Sequence, residues 1–572
     1  MRNYIDGGEA IVESFRRLNI DYVIASPGSE WGSVWEAFAR QKADKADGPI
    51  YLSCAHENLA VNLAMGYTAM TGRMQAVMLH TGVGLLQGSM AIDAANRAAI
   101  PMVIVSGESL TYSEQEGFEP GPQWQGILSV VGGPHSLVDG ITKWSHPISS
   151  PDTLHEQLIR AGEMAQRSPA GPVYMSVPIE TMLHDWTPPQ NPRIVPPAPK
   201  PVPPQADIDR VADMLVASKN PAIVAESIGR DPDGYAATVE LAELLAIPVS
   251  ESGWSDFTNF PNDHPLYQGI GMPEYLHEAD VVLTLRSRAP WSPPSNKPGK
   301  ATIVNIDETP FRPHMVHQSL QADVFLEGDA VATLRALIEA VRKRDVDAKA
   351  VKERLGRWTA GHDALVARKQ GQVDDALSKT AITPIGLCAT LSDVMPDNTI
   401  YIDETITHRR GIIEHVDYKG PLSFFSVASG GLGQGLALAL GAKLAMKDRP
   451  IVSVIGDGSF MYNPVTQGLA LSKHEDIPIM IVVFNNTGYS AMRKEHHSYY
   501  PDGVAAAENA SVGHDITDLD YAELAKPFDF YGRRVETLAE LPGALKEAYA
   551  AIEEGRTAIL NVILDDGPPA KR

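Results

Sequence analysis

Two polar residues with the chemistry of metal ligands stand 29 positions apart, each just after an apolar run. Asp457 comes after the run Ile451–Ile455, and Asn486 comes after the run Ile477–Phe484. Runs of this length are typical of buried strands, and open α/β sheets bind their ligands just beyond the carboxyl ends of the strands. A carboxylate and an amide oxygen at that position suit a hard cation such as Mg²⁺.

Glycines flank the first of these residues, in Gly456-Asp457-Gly458. Glycine lets the backbone turn sharply and approach a ligand closely. An ion held by Asp457 would in turn bind a diphosphate, with the backbone amides after Gly458 and the hydroxyl of Ser459 completing the site. We therefore expect a phosphate-bearing ligand at the end of this strand.

Length and charge limit the class of protein. At 572 residues the chain is too long for one hydrophobic core and suggests three or four domains. Its net charge of −23 argues against nucleic acid or an anionic membrane as a partner, because both are polyanions. Cys54 and Cys388 each stand alone in apolar surroundings, which fits buried thiols in a reducing compartment. The N-terminus lacks the apolar core of a signal peptide, and no apolar run approaches about 18 residues, so we expect a cytoplasmic protein.

Alternating strand-like and helix-like segments predict an α/β fold of three domains, each a mainly parallel sheet flanked by helices. The first domain spans 1–186, and the Pro-rich segment 187–206 is an extended linker. The central domain spans 207–344, a charged helical connector spans 345–382, and the last domain spans 383–572. The first and last domains share the same succession of elements, namely a strand, a turn of small residues and a helix rich in Ala, Leu and Gly. An ancient duplication would explain this similarity.

Three polar residues of the first domain come directly after predicted strands. They are Ser29 in SPGSEW, Glu57 in CAHEN and His80 in VMLHTG. Because the carboxyl ends of parallel strands meet at one edge of a sheet, we expect these side chains to cluster there.

Two features of the sequence are typical of one enzyme superfamily: Gly-Asp-Gly with an Asn-Asn pair at this spacing, and the segment CAHENLAVNLAMGY. On these features the chain resembles the 2-oxo-acid decarboxylase and acetohydroxyacid synthase superfamily of thiamin-diphosphate (ThDP) enzymes. The resemblance extends over essentially its whole length. The resemblance implies that Glu57 hydrogen-bonds the pyrimidine ring of the cofactor and favours its imino tautomer, which removes the C2 proton of the thiazolium. It implies three Mg²⁺ ligands, namely Asp457, Asn486 and the main-chain carbonyl of Gly488. It also implies that the cofactor is contacted by Gly430, Leu432, Gly456, Gly458, Ser459 and Thr405. Of these, Leu432 would hold the cofactor in a V shape.

Family members place their active sites at a subunit interface, so the resemblance implies a homodimer or homotetramer in which Glu57 serves the diphosphate bound by a neighbouring subunit. A nicotinamide-type glycine pattern at Gly431, Gly433 and Gly435 is partial and leaves the Asp457–Asn486 pairing unexplained, so we reject it. The first strand of the central domain ends in AESIGRDPDG, which lacks a dinucleotide fingerprint, so no motif supports FAD there.

Ser29 and His80 match positions that benzoylformate-decarboxylase-like members occupy with a serine and a histidine near the substrate. His80 is thus a candidate proton shuttle, with a capping or core histidine as the alternative. These members bring a second histidine from the central domain, whereas this chain has Trp291 near that position, preceded by Arg286 and Arg288. Either Trp291 walls the pocket while an arginine holds an anionic acceptor, or this is an exposed Pro-rich loop.

The expected function is ThDP- and Mg²⁺-dependent decarboxylation of a 2-oxo acid. A further expected outcome is ligation of the remaining fragment to a second carbonyl compound, as in acetolactate synthases. The alternatives are a ThDP-dependent lyase or acyltransferase acting on another carbonyl donor, and a noncatalytic protein that has kept the fold. Intact Glu57, Asp457 and Asn486 argue against the last. His496 and His497 add little, because adjacent residues point to different faces of a helix and at most one faces a ligand.

Overall fold

The structure, a computed structural model, describes residues 5–108, 127–271, 273–291, 293–318, 320–427, 429–508, 510 and 512–566. In these residues the strands form three six-stranded sheets, and every pairing between neighbouring strands is parallel. The predicted α/β class with three helix-flanked parallel sheets is confirmed.

The first sheet has the order β2-β1-β3-β4-β6-β5. Its strands are β1 (Tyr22–Ser26), β2 (Ile50–Ser53), β3 (Gln75–Leu79), β4 (Met102–Glu108), β5 (Trp144–Pro147) and β6 (Pro172–Pro178). Its helices are α1 (Gly7–Arg17), α2 (Gly32–Asp44), α3 (Glu57–Thr71), α4 (Val83–Arg97), α5 (Leu154–Gln166) and α6 (Ile179–Leu183). Of these strands, β5 is short and half-buried, and a proline stands at each end of β6.

The central sheet has the order β12-β11-β10-β7-β8-β9. Strands β7 to β9 are added toward one edge of the sheet and strands β10 to β12 toward the other, so the strand order switches between β7 and β10. Its strands are β7 (Pro221–Ala225), β8 (Val249–Glu251), β9 (Tyr267–Ile270), β10 (Val281–Leu285), β11 (Thr302–Asp307) and β12 (Val324–Glu327). Its helices are α7 (Gln205–Ala217), α8 (Pro232–Leu245) and α9 (Ala330–Arg342), and the single long helix α10 (Ala348–Leu377) follows.

The last sheet has the order β14-β13-β15-β16-β18-β17. Its strands are β13 (Ile400–Glu404), β14 (Phe424–Ser426), β15 (Ile451–Gly456), β16 (Met480–Asn485), β17 (Tyr531–Val535) and β18 (Ala558–Ile563). The helices of this part of the chain are α11 (Pro384–Val394), α12 (Arg409–His415), α13 (Gly435–Ala445), α14 (Asp457–Tyr462), α15 (Val465–Glu475), α16 (Ser490–Tyr499), α17 (Val504–Ala507) and α18 (Leu541–Glu553). Counted from its own first strand, this sheet has the same strand order as the first sheet.

The predicted linker 187–206 contains neither helix nor strand as far as Pro204, as expected of a Pro-rich segment, and α7 begins at Gln205 within its last two residues. Cys54 and Cys388 are buried free thiols. A search of the described helices finds none that is long and apolar enough to cross a membrane.

The chain separates into two compact units. The first consists of 1–199 with two later segments, 428–446 and 463–471, and the second contains the central and last sheets. Within the first unit, α13 packs along α3. A Cβ on Gly66 of α3 would lie 2.3 Å from the carbonyl oxygen of Leu438, and one on Gly441 of α13 would lie 2.1 Å from that of Leu63. The backbones of the two helices are therefore in contact at these glycines. The two similar Ala-, Leu- and Gly-rich segments of the first and last domains thus pack against each other.

Candidate functional site

Glu57 is the first residue of α3, directly after β2. Its half-buried side chain lies against α4, where a Cβ on Gly84 would be 3.0 Å from Glu57 Oε1 and one on Gly88 would be 3.6 Å from Glu57 Cβ. Small residues on α4 thus make room for this side chain. Among the described residues, none forms a hydrogen bond or ion pair with the carboxylate, which leaves both oxygens to a ligand.

His80 follows β3 and is held by a carboxylate that the sequence analysis did not single out. Its Nδ1 lies 3.0 Å from both carboxylate oxygens of Glu30, and the backbone N–H of Thr81 also donates to Glu30 Oε1 at 3.0 Å. The Glu30 side chain is fully buried. This hydrogen bond raises the pKa of His80, against the effect of burial, and the negative charges of Glu30 and Glu57 act in the same direction.

Two glycines make the Glu30–His80 pair possible. A Cβ on Gly28 would lie 1.9 Å from His80 Nδ1, and one on Gly107 would lie 2.3 Å from Glu30 Cγ. Glu30 could have been found from the sequence, since it stands beside Ser29 after the same strand and the rule applied to Ser29 applies equally to it.

The structure brings two of the three predicted polar residues together at one edge of the first sheet. A Cβ on Gly84 would touch both His80 Cβ, at 2.9 Å, and Glu57 Oε1, at 3.0 Å. Ser29 has an exposed side chain and precedes Glu30 in the same turn.

The strip before α13 belongs to the same unit as Glu57. Gly430 is exposed and Leu432 is half-buried. The strip is fixed at Gly433, whose carbonyl accepts a hydrogen bond from Asn58 Nδ2 of α3 at 2.8 Å. A Cβ on Gly431 would lie 2.6 Å from Met90 Sδ of α4. Helices α3 and α4 therefore position the strip in which Gly430 and Leu432 are the predicted cofactor contacts.

Asp457 lies at the junction of β15 and α14 in the second unit and is only 3% exposed. The N–H of Gly458 donates to its Oδ1 at 2.8 Å, and the N–H of Gly488 donates to its Oδ2 at 3.2 Å. Burial raises the pKa of Asp457 to about 6 although these N–H groups lower it, and the nearby charge of Asp566 raises it slightly. Among the residues that the structure describes, no cationic side chain forms an ion pair with this buried carboxylate, which suits a bound metal ion.

The glycines beside Asp457 act differently from the expectation. Neither Gly456 nor Gly458 has a positive φ, so neither is required for a left-handed turn. A Cβ on Gly458 would lie 2.6 Å from Cε1 of Tyr489, so this glycine permits close packing of the tyrosine ring. The prediction that these glycines are needed for a sharp turn is therefore wrong, although Asp457 lies directly after a strand, as predicted.

Asn486 follows β16 with its side-chain amide in a fixed orientation. Its Nδ2 donates to Asp566 Oδ2 at 2.7 Å and to Ser490 Oγ at 2.9 Å. Its Oδ1 is buried and has no hydrogen-bond partner among the described residues. Buried acceptors are seldom left unsatisfied, so this oxygen fits a cation that the protein binds.

The third predicted ligand, the carbonyl of Gly488, accepts one hydrogen bond from the N–H of Ser490 at 2.9 Å and retains a second lone pair. Asp457, Asn486 and Gly488 lie in one unit and are linked through the bond from Gly488 to Asp457. One carboxylate, one orphaned amide oxygen and one backbone carbonyl form an all-oxygen donor set, which fits Mg²⁺.

Asp566 and His408 complete this region, and neither was predicted. Asp566 Oδ1 lies 3.4 Å from His408 Nε2. Burial lowers the pKa of His408, while the charge of Asp566 opposes this effect. Nothing local in the sequence marks Asp566, because its partner Asn486 is 80 positions away.

Thr405 and Ser459, two predicted cofactor contacts, are both buried. The hydroxyl of Thr405 donates to Asp403 Oδ1 at 2.7 Å, so its side chain is directed into the sheet. The next residue, Ile406, has φ of +49° at the centre of a tight turn in which the N–H of Thr407 donates to the carbonyl of Thr405. A β-branched residue in this conformation is strained, and such strain is often found at functional sites.

The structure divides the central-domain loop between its two explanations. Pro293, Pro294 and Ser295 are exposed, as expected of an exposed Pro-rich loop. Trp291, however, is 2% exposed, donates from Nε1 to the carbonyl of Leu320 at 3.1 Å and packs in a small core cluster, so it does not wall a pocket. Arg286 forms an ion pair with Glu308. Arg288 is paired with Glu226 at 2.7 Å and with Asp256 at 2.8 Å. These internal ion pairs do not support a role of either arginine in holding an acceptor.

The histidines of α16 lie close to a third one. The ring of His496 is 5.8 Å from that of His497 and 5.5 Å from that of His514. None of the described residues forms a cluster of three or more His, Cys, Asp or Glu side chains that could hold a metal ion.

Three family models match the chain. They are the N-terminal TPP binding domain, the central domain and the C-terminal TPP binding domain of thiamine pyrophosphate enzymes, at residues 5–127, 208–337 and 407–562. Together they account for well over half of the chain.

Similar proteins align over nearly the full length. A benzoylformate decarboxylase of Pseudomonas aeruginosa is 27% identical over 95% of this chain and 96% of its own. A sulfoacetaldehyde acetyltransferase of Rhodobacter capsulatus is 26% identical over 99% of this chain and 95% of its own. The crystal structure of a benzoylformate decarboxylase from Polynucleobacter necessarius superposes with a TM-score of 0.80 at 21% identity, covering 99% of this chain and 100% of the other, and shows the same fold.

Proposed function

Because the chain belongs to the thiamine pyrophosphate enzyme family and is a ThDP-dependent enzyme, we propose that it cleaves the bond between the carboxylate and the carbonyl carbon of a 2-oxo acid. The observation that carries the proposal is the carboxylate of Glu57, which has no hydrogen-bond or ion-pair partner among the described residues at the edge of the first sheet. Glycines of the neighbouring helix α4 leave room for this carboxylate, which a noncatalytic protein would not require.

ThDP, when bound, adds to a carbonyl carbon and stabilises the carbanion left after cleavage. Toward this group, Glu57 is proposed to hold a proton on its carboxyl and to hydrogen-bond the pyrimidine ring. Gly430 and Leu432 are proposed to contact the pyrimidine and thiazolium parts. Asp457, Asn486 and Gly488 are proposed to hold Mg²⁺, which supports the diphosphate.

His80 is proposed to carry the proton that the reaction consumes or releases. Its hydrogen bond to Glu30 fixes the ring and raises its pKa above the ordinary value, which favours the protonated imidazole. Ser29, exposed in the adjacent turn, is proposed to bind the substrate carboxylate.

The second candidate is transfer of the cleaved fragment to a second acceptor, in a carboligase or acyltransferase reaction. It is favoured by the central-domain loop, which has no histidine between Arg286 and Asn296 to return a proton. The likeness to an acetyltransferase supports it to the same degree. A ThDP-dependent lyase acting on another carbonyl donor would use the same residues.

We further propose that the protein is a cytoplasmic homodimer or homotetramer with active sites between subunits. The buried free thiols of Cys54 and Cys388 suit a reducing compartment. The net charge of −23 favours small-molecule substrates over nucleic acids or membranes.

A panel of 2-oxo acids, supplied with ThDP and Mg²⁺ and assayed for CO₂ with and without aldehyde or ketone acceptors, tests the reaction. We expect CO₂ from at least one acid, and a ligated product would identify the second candidate. If no acid in the panel yields CO₂, the decarboxylation proposal is wrong and another carbonyl donor is required.

Glu57→Gln tests the role of the carboxyl group. Exchange of the thiazolium C2 hydrogen should slow by about a hundredfold or more, while ThDP binding changes little, because the metal-binding residues are untouched. Glu156→Gln, at an exposed position of the same unit, is the matched control. Unchanged exchange in Glu57→Gln would remove Glu57 from the mechanism.

A further inference from the structure

A segment that follows β8 lies against the last sheet, within the second unit. We call these residues, 252–262, the crossing segment. Its Phe257 forms an isolated antiparallel bridge with Phe425 of β14, and the two buried rings stack with their centroids 4.9 Å apart. Because β14 is at the edge of the last sheet, the crossing segment covers part of that edge.

Buried charges attach the crossing segment to α12. Asp256, whose side chain is 7% exposed, forms an ion pair with Nη2 of Arg409 at 3.2 Å, and this nitrogen also donates to the carbonyl of Ser255 at 2.7 Å. The other carboxylate oxygen of Asp256 is 2.8 Å from Nη2 of Arg288, which is in turn paired with Glu226 at 2.7 Å. Desolvation offsets much of the attraction in buried ion pairs, so the main effect of this network is to fix how the groups are oriented.

Hydrogen bonds to the main chain attach the crossing segment to β14 and to the turn before it. The N–H of Ser426, the last residue of β14, donates to the carbonyl of Asp256 at 3.0 Å. The hydroxyl of Thr258 donates to the carbonyl of Gly420 at 3.3 Å. The crossing segment therefore holds both α12 and β14, the two elements that follow β13 in the chain.

Both elements are connected to Asp403 of β13 and to the turn after it. Asp403 Oδ2 accepts a hydrogen bond from Oγ of Ser426 at 3.1 Å. Its Oδ1 accepts from the N–H and the hydroxyl of Thr405, at 3.0 and 2.7 Å. Thr405 is a predicted cofactor contact, and Arg409 begins the helix after its turn. Asp256 is thus connected to this turn from both sides, once through β14 and once through α12.

The turn after Thr405 requires support from its surroundings. Ile406 has φ of +49°, and a β-branched residue keeps this strained conformation only where neighbouring contacts hold it. His408, at the end of the turn, lies with Nε2 3.5 Å from Nδ2 of Asn486, a predicted metal ligand. A shift of α12 would therefore disturb the turn and the surroundings of Asn486 together.

We propose that Asp256 is a positioning residue for the cofactor: bound to Arg409 and to the N–H of Ser426, it sets the position of the Thr405 turn and thereby the affinity for ThDP. The central domain thus takes part in cofactor binding without touching the cofactor. The proposal rests on the proposed function through the predicted contact between Thr405 and ThDP.

Direct binding of ThDP tests the proposal. In Asp256→Asn the charge is lost, while the size of the side chain and the main-chain bond to Ser426 are kept. We expect the Kd for ThDP, measured by calorimetry at saturating Mg²⁺, to rise by about tenfold, as for other residues that orient a binding group. Asp263→Asn, which removes an exposed carboxylate of the crossing segment, should change the Kd by less than about twofold. Because no substrate is present, the result is independent of whether the enzyme cleaves a 2-oxo acid.

A double-mutant cycle with Arg409→Gln shows whether the two residues act through each other. If they do, each single variant weakens ThDP binding and the double variant weakens it no further, whereas independent effects would multiply to about a hundredfold. Arg410→Gln, at the exposed neighbouring position of α12, is the control for Arg409→Gln and should bind ThDP like the wild type.

Three results would overturn the proposal. One is an equal Kd in Asp256→Asn and Asp263→Asn, and another is a multiplicative effect in the double variant. The third is a lower melting temperature of cofactor-free Asp256→Asn with an unchanged Kd, which would mean a purely structural role. If Asp256→Asn does not fold, the comparison of Arg409→Gln with Arg410→Gln decides in the same way, since an equal Kd in these two variants contradicts the proposal.

Discussion

The hydrogen bond between Glu30 and His80 raises the pKa of the histidine. In Glu30→Gln this charge-assisted bond is lost, so the pKa of His80 should fall. We expect the pH dependence of kcat to move to lower pH and kcat/KM near neutrality to drop by about tenfold or more. Glu36→Gln, an exposed residue of α2, should keep the wild-type profile. A Glu30→Gln enzyme with an unshifted profile would show that His80 is not the titrating group.

The same pair links stability to pH. A histidine whose pKa is raised on folding stabilises the protein below its ordinary pKa of 6.5, and this stabilisation is lost as pH rises through the raised value. The melting temperature of Glu30→Gln should therefore lie furthest below that of the wild type at about pH 6. The gap should narrow as pH rises beyond the raised pKa. A gap that is constant with pH would indicate a purely structural loss.

Asp566 orients the side-chain amide of Asn486 and so leaves Oδ1 for the metal ion. Loss of a residue that orients a metal ligand typically costs ten- to a hundredfold in metal affinity. In Asp566→Ala, the Mg²⁺ concentration that half-saturates ThDP binding should rise by about tenfold. Asp502→Ala, which removes a carboxylate from an exposed loop, serves as the control. Equal Mg²⁺ requirements in the two variants would exclude this role.

At the scale of the elements, the contact between α3 and α13 depends on the absence of a side chain at Gly66 and Gly441. Gly→Ala inside a helix ordinarily stabilises it by roughly 0.5–1 kcal/mol. At Gly441, however, the new methyl group would lie 2.1 Å from the carbonyl oxygen of Leu63, so we expect destabilisation by about 1–3 kcal/mol.

The control is Gly356→Ala in α10, where a Cβ meets nothing within 4 Å. This substitution should leave the thermal melting temperature unchanged or raise it, whereas Gly441→Ala should lower it. The opposite signs of two chemically identical changes make the comparison specific to the helix contact. If Gly441→Ala also raised the melting temperature, the close approach of the two helices would be refuted.

The elements themselves could be predicted well from the sequence, because their apolar runs and glycine-rich turns are local signals. The apolar runs Ile451–Ile455 and Ile477–Phe484, which were predicted to be strands, coincide with β15 and overlap β16. What could not be predicted is which elements and side chains meet. The pairing of α3 with α13, the burial of Trp291 and the hydrogen bond from Asn486 to Asp566 each join positions far apart in the chain. A single sequence contains no periodic pattern from which contacts between such distant positions could be predicted.

At the scale of the whole molecule, the candidate residues divide between the two compact units. Glu57 and His80 lie in the first, and Asp457 and Asn486 lie in the second. If active sites are shared between subunits as proposed, a subunit with Glu57→Gln and one with Asp457→Ala each lack a different half. A mixed dimer then contains one intact site and one doubly altered site.

Co-expression of the two variants should therefore restore activity to about a quarter of the wild-type level, since about half of randomly assembled dimers are mixed and each has one intact site. Each variant expressed alone should be inactive. No recovery in the mixture, with mixed dimers confirmed by differential tags, would mean that both halves of a site come from one chain.

The attachment of α13 to the first unit also affects how the protein is made. All residues of α3 from Asn58 to Met70 are buried, and α13, which covers part of this surface, is encoded more than 360 codons later. During synthesis from the N-terminus, the apolar surface of α3 that packs against α13 therefore stays exposed until about three quarters of the chain has been translated. The first 199 residues alone should consequently be insoluble, and chaperone demand during translation should be greatest before α13 emerges.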